Sequence, residues 1–254
     1  MTDLIYRPLL LLPVSFLVLW LAAWLGAFGF KRLKDHVAEL RDDFNVVQGA
    51  TLTLLGLIIG FTFSMALTRY DQRKTYEEDE AKAIGTEYVR ADLLPQAEAA
   101  KVRALLVSYI EQRILFYTTR KEEDVRQINS TTAKIQNEMW AAVQVPATAQ
   151  PTPVMALAVA GMNDVLNSHG YTQAAWLNRI PVGAWALMLA IAVCATMLVG
   201  VGAHSVREGR GLLVILPFVL SIAFFLIADI DAPRRGVIRV IPENLQILLQ
   251  SLRG

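Results

Sequence analysis

The chain carries one cysteine, Cys194, and three histidines, His36, His169 and His204, in 254 residues. A lone cysteine excludes an intramolecular disulfide and leaves no second thiol for a zinc site. The histidines are scattered, with no HExxH pair among them. Asp164, Ser168 and His169 are close in sequence, but no strained strand-to-helix turn presents a nucleophile beside them. The GVG at 200–202 lacks a third glycine and sits inside an apolar run, so it is not a dinucleotide loop. The sequence therefore predicts no enzyme and no cofactor. A net charge of +1 lacks the polybasic footprint of a nucleic-acid binder. Strand-like alternation is missing as well, no internal repeat is visible, and the fold class expected is all-α.

What the chain has in abundance is apolar sequence. The hydrophobic share is 54%, and the excess falls in four uncharged runs at 8–30, 46–68, 181–203 and 211–228. Each is long enough to cross a hydrocarbon core of roughly 30 Å, so four transmembrane helices and an integral membrane protein are expected. The first run exceeds a signal-peptide core and is followed by KRLK instead of a small-residue cleavage site, so it is expected to stay as an anchor. The expected organisation is spans one and two over 1–68, an extramembrane domain over 69–180, spans three and four over 181–230, and a tail over 231–254.

The second span has no visible end. Residues 46–94 contain no proline, and no glycine between Gly60 and Gly85, so an apolar stretch runs as one helix into RYDQRKTYEEDEAKAIGTEYVRADLL. At about 1.5 Å per residue this is a helix of roughly 70 Å, twice what a bilayer needs. It should end near Pro95. A second helix is marked by Val102, Leu105, Leu106, Tyr109, Ile110, Arg113, Ile114, Phe116 and Tyr117, and a third covers about 122–143. Pro146, Pro151 and Pro153 predict a loop, and a fourth helix over about 154–167 should close at Gly170.

Two groups of residues could carry function. In the second span, Gly49, Thr53, Gly56, Gly60 and Ser64 share one helical stripe. Such a stripe is either a close helix-packing surface or a pore lining in an oligomer. Thr53, Leu57 and Phe61 form an adjoining register, and Glu77, Glu78, Asp79 and Glu80 follow beyond it. Apolar bulk below acidic groups suits a constriction under a charged vestibule, while a solvated helix face is the plain alternative for the acidic run. At the end of the fourth span, Asp229 and Asp231 lie near Arg234, Arg235 and Arg239, with Arg69 and Arg73 at the exit of the second. A carboxylate at a membrane boundary is costly and is usually paired or functional. The cluster of Arg69, Asp229, Asp231, Arg234 and Arg239 is read as membrane-exit ion pairing, with an oxygen-ligand site for a hard cation as the alternative; a metal is left unassigned.

The basic residues divide between the two sides. Lys31, Arg32, Lys34, Arg41, Arg207 and Arg210 stand on one, and Arg69, Arg73, Lys74, Arg234, Arg235 and Arg239 on the other. The positive-inside rule favours the first group as cytoplasmic, which puts 69–180 outside.

The stretches GFTFSMALTRYDQRK, EAKAIGTEYVRADLLP and ADIDAPRRGVIRVIPENLQ closely resemble a bacterial bestrophin-like membrane family, domain of unknown function 4239. IGFTFSMALTRYD in turn is similar to the neck helix of bestrophin channels. That resemblance implies a four-span helical membrane protein of the bacterial inner membrane, a homo-oligomer, pentameric in bestrophins, and ion conduction. It places Thr53, Leu57 and Phe61 at the neck. It also implies a cytosolic helical domain, against the charge rule, so orientation stays open. Only Phe61 is aromatic where bestrophins carry larger residues, and two aspartates replace a longer acidic stretch, so calcium control does not carry over. Two functions follow as expectations: an oligomeric channel for small inorganic ions lined by the second span, or a non-conducting membrane adaptor displaying the helical domain.

Overall fold

A computed structural model describes residues 7–29, 41–203 and 211–254, apart from the side chains of Arg41 and Leu212. The loop residues Lys31, Arg32, Lys34, Arg207 and Arg210, together with Phe30, His36 and His204, lie outside the described residues. Among the described residues there are eight α-helices, one 3-10 turn and no strand. The helices are α1 (Pro8–Gly29), α2 (Arg41–Arg90), α3 (Gln96–Thr118), α4 (Glu122–Ala149), α5 (Pro153–Leu177), α6 (Val182–Gly202), α7 (Leu212–Asp231) and α8 (Glu243–Arg253), with the 3-10 turn at Ala91–Leu93. Four helices are long and apolar enough to cross a membrane, and the protein is an all-α membrane protein.

The chain forms two compact units, 1–68 with 179–238 and 69–178 with 239–254. In the first, α1 packs along both α6 and α7. Its buried residues Leu11, Ser15, Leu19, Ala22, Ala23, Gly26 and Ala27 recur every three or four positions and are mostly small. Small residues allow backbones to touch in a membrane, where apolar burial alone gives no drive to associate. A Cβ built at Gly26 would overlap the carbonyl oxygen of Met197, and one at Gly200 would overlap that of Ala23. Phe16 of α1 meets Phe218 of α7 edge to face at 6.3 Å, a favoured aromatic geometry.

In the second unit, the end of α2, α3, α4, α5 and α8 surround one core containing Ile84, Val102, Leu106, Tyr109, Ile110, Met139, Met162 and Val165. The apolar face expected on α3 is buried as read, with Leu105 and Ile114 at its edge.

Three expectations about ends are corrected. Pro146 does not end α4, which runs on to Ala149. Met139, Ala142, Val143 and Pro146 are all buried on one stripe, and that packing outweighs the single N–H a proline withholds. Gly170 does not close α5, because Val165, Ser168, Thr172 and Trp176 continue its buried face to Leu177. The fourth span outlasts its apolar run and reaches Asp231, passing through Pro217 near its start. The tail also holds a helix that was not foreseen, α8, although Leu245, Leu248, Leu249 and Leu252 pack on the core at helical spacing.

The α1–α6 contact yields a prediction. Gly26→Ala pushes a methyl into backbone and should destabilise by about 1–3 kcal/mol, read as a lowered thermal midpoint of the full chain in detergent micelles. Gly183→Ala, where the added methyl meets open space, should change stability by less than about 0.5 kcal/mol.

Candidate functional site

The membrane stretch of α2 has two contrasting faces. Leu55, Thr62 and Ala66 are buried. Thr53, Leu57, Gly60, Phe61 and Ser64 are all exposed, with Leu57 at 53% and Phe61 at 65%. At about 100° per residue the exposed five span an arc of roughly 100° opposite the buried three. Gly49, Gly56 and Gly60 fall on or beside that arc, and a Cβ added to any of them meets nothing within 4 Å. These glycines therefore pack against no helix of their own chain, unlike Gly26 and Gly200. Thr53 donates its hydroxyl proton to the carbonyl of Gly49 at 2.9 Å, which leaves oxygen lone pairs to accept from, or coordinate, something outside.

Beyond the membrane stretch the charges of α2 separate by face. Glu78 and Asp79 are exposed, with Glu78 paired to Lys82 at 2.6 Å. The other two members of the expected acidic band turn inward. Glu80 is fully buried and accepts from Arg113 Nε at 2.5 Å and Arg113 Nη2 at 3.2 Å, a bidentate pair. Tyr109 and Thr172 add hydroxyl donors at 3.1 and 3.3 Å, so both carboxylate oxygens are satisfied by α3 and α5. The guanidinium of Arg113 also lies 4.4 Å from the Phe116 ring centre. Glu77 accepts from the backbone N–H of Leu245 at 2.9 Å and from Asn244 Nδ2 at 2.7 Å. It serves as an external cap for the first turn of α8, whose own backbone donors lack helical partners. Burial raises the Glu77 pKa, against the lowering effect of these bonds.

Two further charged residues share this inward face. Arg73 donates to the carbonyls of Ala175 and Asn178 at 3.2 and 3.3 Å, closing the end of α5. Glu87 is fully buried, and neither of its oxygens has a hydrogen-bond partner. Positions 73, 77, 80, 84, 87 and 91 are all buried and recur every three or four residues, the spacing of a core-facing stripe. The sequence reading missed this stripe because four of its six members are charged.

The exit aspartates hold backbone. Asp229 accepts from the N–H groups of Val237 and Ile238 at 2.7 and 2.8 Å. This folds the segment after α7 back on its last turn, with Gly236 at a point where a Cβ would overlap the Asp229 carbonyl. Asp231 accepts from the N–H of Ile180 at 3.1 and 3.2 Å and fixes the entry to α6. Within the first unit lie Asp229, Asp231 and Arg234; Arg69 and Arg239 belong to the second. Among the described residues no three His, Cys, Asp or Glu side chains gather as a metal site.

The remaining catalytic residue types do not converge. Ser168 donates to its own helix at Val165, and Asp164 faces Arg90 at 4.0 Å. His169 lies 3.1 Å from Gln173 Nε2; burial, then the charge of Arg113, pushes its pKa down to about 4, so it is neutral at pH 7.

The Glu80 pair is the firmest charge contact and can be tested directly. Glu80→Ala strands a buried guanidinium and should cost about 3–5 kcal/mol, whereas Glu80→Leu combined with Arg113→Met should recover most of that loss. Thermal unfolding of both variants followed by circular dichroism separates the outcomes.

Comparison with known proteins agrees with this architecture. Crystal structures of a bacterial bestrophin homologue from Klebsiella pneumoniae share the fold. One, with a single substitution, has a TM-score of 0.67 at 11% identity over 96% of this chain and 99% of its own. A second, solved by zinc phasing, has a TM-score of 0.64 at 12% identity over 94% of each chain, and a third scores 0.62 at 14% identity over 99% and 98%. None of the curated proteins matches the sequence. The Bestrophin-like domain model matches residues 16–245, nearly the whole described chain, and the protein belongs to the bestrophin-like family.

Proposed function

We propose that the protein is an ion channel of the bacterial inner membrane, built from several copies arranged around α2. One observation carries this reading: Thr53, Leu57, Gly60, Phe61 and Ser64 form a continuous exposed face opposite the buried Leu55, Thr62 and Ala66, on a span that its own chain leaves mostly uncovered, and the glycines beside them touch nothing in their own chain. Membership in a family whose known members are channels supports it. In the assembly, Phe61 and Leu57 supply an apolar constriction, Thr53 and Ser64 supply hydroxyl oxygens, and Gly60 keeps the lumen wide. Conduction needs no catalytic group, in keeping with the scattered histidines.

Ion preference in this scheme rests on fewer carboxylates than the sequence suggests. Glu77 and Glu80 are engaged inside the helical unit, so Asp79 and Glu78, the latter paired with Lys82, are the exposed carboxylates left for a vestibule. A small cation bias is the expected result. Asp229 and Asp231 act structurally, by setting the backbone that leaves and enters the spans.

Flux through liposomes holding purified protein is the test. Phe61→Ala should raise flux several-fold. In a Cys194→Ser background, Ser64→Cys should become sensitive to block by a charged thiol reagent. No flux at all, together with no effect of Phe61→Ala, overturns the channel; a particle image with the glycine face of α2 buried in a two-helix contact favours a non-conducting adaptor.

A further inference from the structure

Four charged residues lie on the inward face of α2, and three of them are answered by another helix. Arg73 meets the end of α5, Glu77 the start of α8, and Glu80 the side chains of Arg113, Tyr109 and Thr172. Glu87 is the exception. Its side chain is wholly buried with no donor on either oxygen, and it is pressed against α5 where Gly161 leaves no room for a methyl. The charged groups that face it are Arg90, one turn along α2, and Asp164 on α5. Those two lie 4.0 Å apart, and the Asp164 side chain is 66% exposed.

An ionised carboxylate in such a place has lost water and gained no hydrogen bond, whereas a neutral acid packs there at far smaller cost. We infer that Glu87 is a proton-binding site: as a neutral acid it seals α2 against Gly161 of α5, and release of its proton to solvent loosens that contact. The carboxylate then competes with Asp164 for Arg90, whose guanidinium already borders Gly161. This site does not depend on ion conduction.

Burial drives the Glu87 pKa up to about 8, with Arg90 lowering it and Asp164 raising it. The folded state thus holds this proton more tightly than the unfolded chain. The sign follows from linkage: the contribution to stability is whole below the ordinary value of 4.5, falls as pH rises from there to about 8, and is flat above. Within the physiological range, alkalinisation weakens the α2–α5 contact.

The full chain in detergent micelles provides the test. Its infrared spectrum should show the carbonyl stretch of a protonated acid without hydrogen bonds, fading near pH 8 and missing from Glu87→Gln. Between roughly pH 5 and 9 the wild-type thermal midpoint should fall by at least about 5 °C relative to Glu87→Gln. Asp164→Asn, an exposed change, should lower the midpoint of the titration, since it removes the neighbouring negative charge and frees Arg90. A band that persists in Glu87→Gln, or parallel stability profiles for the two proteins, overturns the assignment. Should Glu87→Gln fail to fold, an unmoved titration in Asp164→Asn overturns it instead.

Discussion

The helical unit is organised around the ion pair of Glu80 and Arg113, a charge from α2 and one from α3 held together with no water in reach. Such a pair is not a large source of stability, because desolvating two charges offsets most of their attraction. Its effect is on geometry. The bidentate fork fixes the rotation of α2 about its own axis relative to α3, and Thr172 brings α5 into the same register. Once α2 is set at that angle, Arg73, Glu77 and Glu87 must point inward too, since they share its face. The unit then has to answer each of them. It does so with the end of one helix, the start of another and, at Glu87, a glycine surface with no donor.

The membrane unit solves the reverse problem. The charges of Asp229 and Asp231 stand at the very end of a span, so along the spans association depends on how closely backbones approach. Alanine and glycine on α1 and α6 allow direct contact, with Leu11, Leu19, Trp185 and Met188 buried beside them. Gly49, Gly56 and Gly60 in the membrane stretch of α2, by contrast, meet nothing in their own chain. One residue type thus stands in two settings among the spans, packed on α1 and α6 and uncovered on α2.

Much of this was readable in the residues. The four spans followed from uncharged length, and the unbroken helix from the lack of proline and glycine across Arg69 and Tyr70. The α3 face followed from the spacing of Val102, Leu106, Tyr109 and Ile110. What escaped was every feature that depends on a distant partner. Glu77 and Glu80 look like solvated carboxylates until Asn244 and Arg113 are placed beside them. Pro146 and Gly170 look like stops until the buried stripes that pass through them are known. Asp229 and Asp231 invite a reading as ion pairs or cation ligands, and the sequence does not show that N–H groups of Val237, Ile238 and Ile180 also reach their oxygens. Local signals identify helices; partners outside the helix, at separations of 8 to 168 residues, decide what their polar groups do.

The cap that Glu77 provides for α8 has a consequence for the order of assembly. Leu245 and Asn244 are synthesised after the fourth span, whereas Glu77 emerges soon after the second. Through most of translation Glu77 has no ligand, and the first turn of α8 does not yet exist. The helical unit therefore reaches its final form only when α8 returns to a helix made long before. A nascent chain stalled before Pro242 would hold all four spans with that carboxylate still waiting.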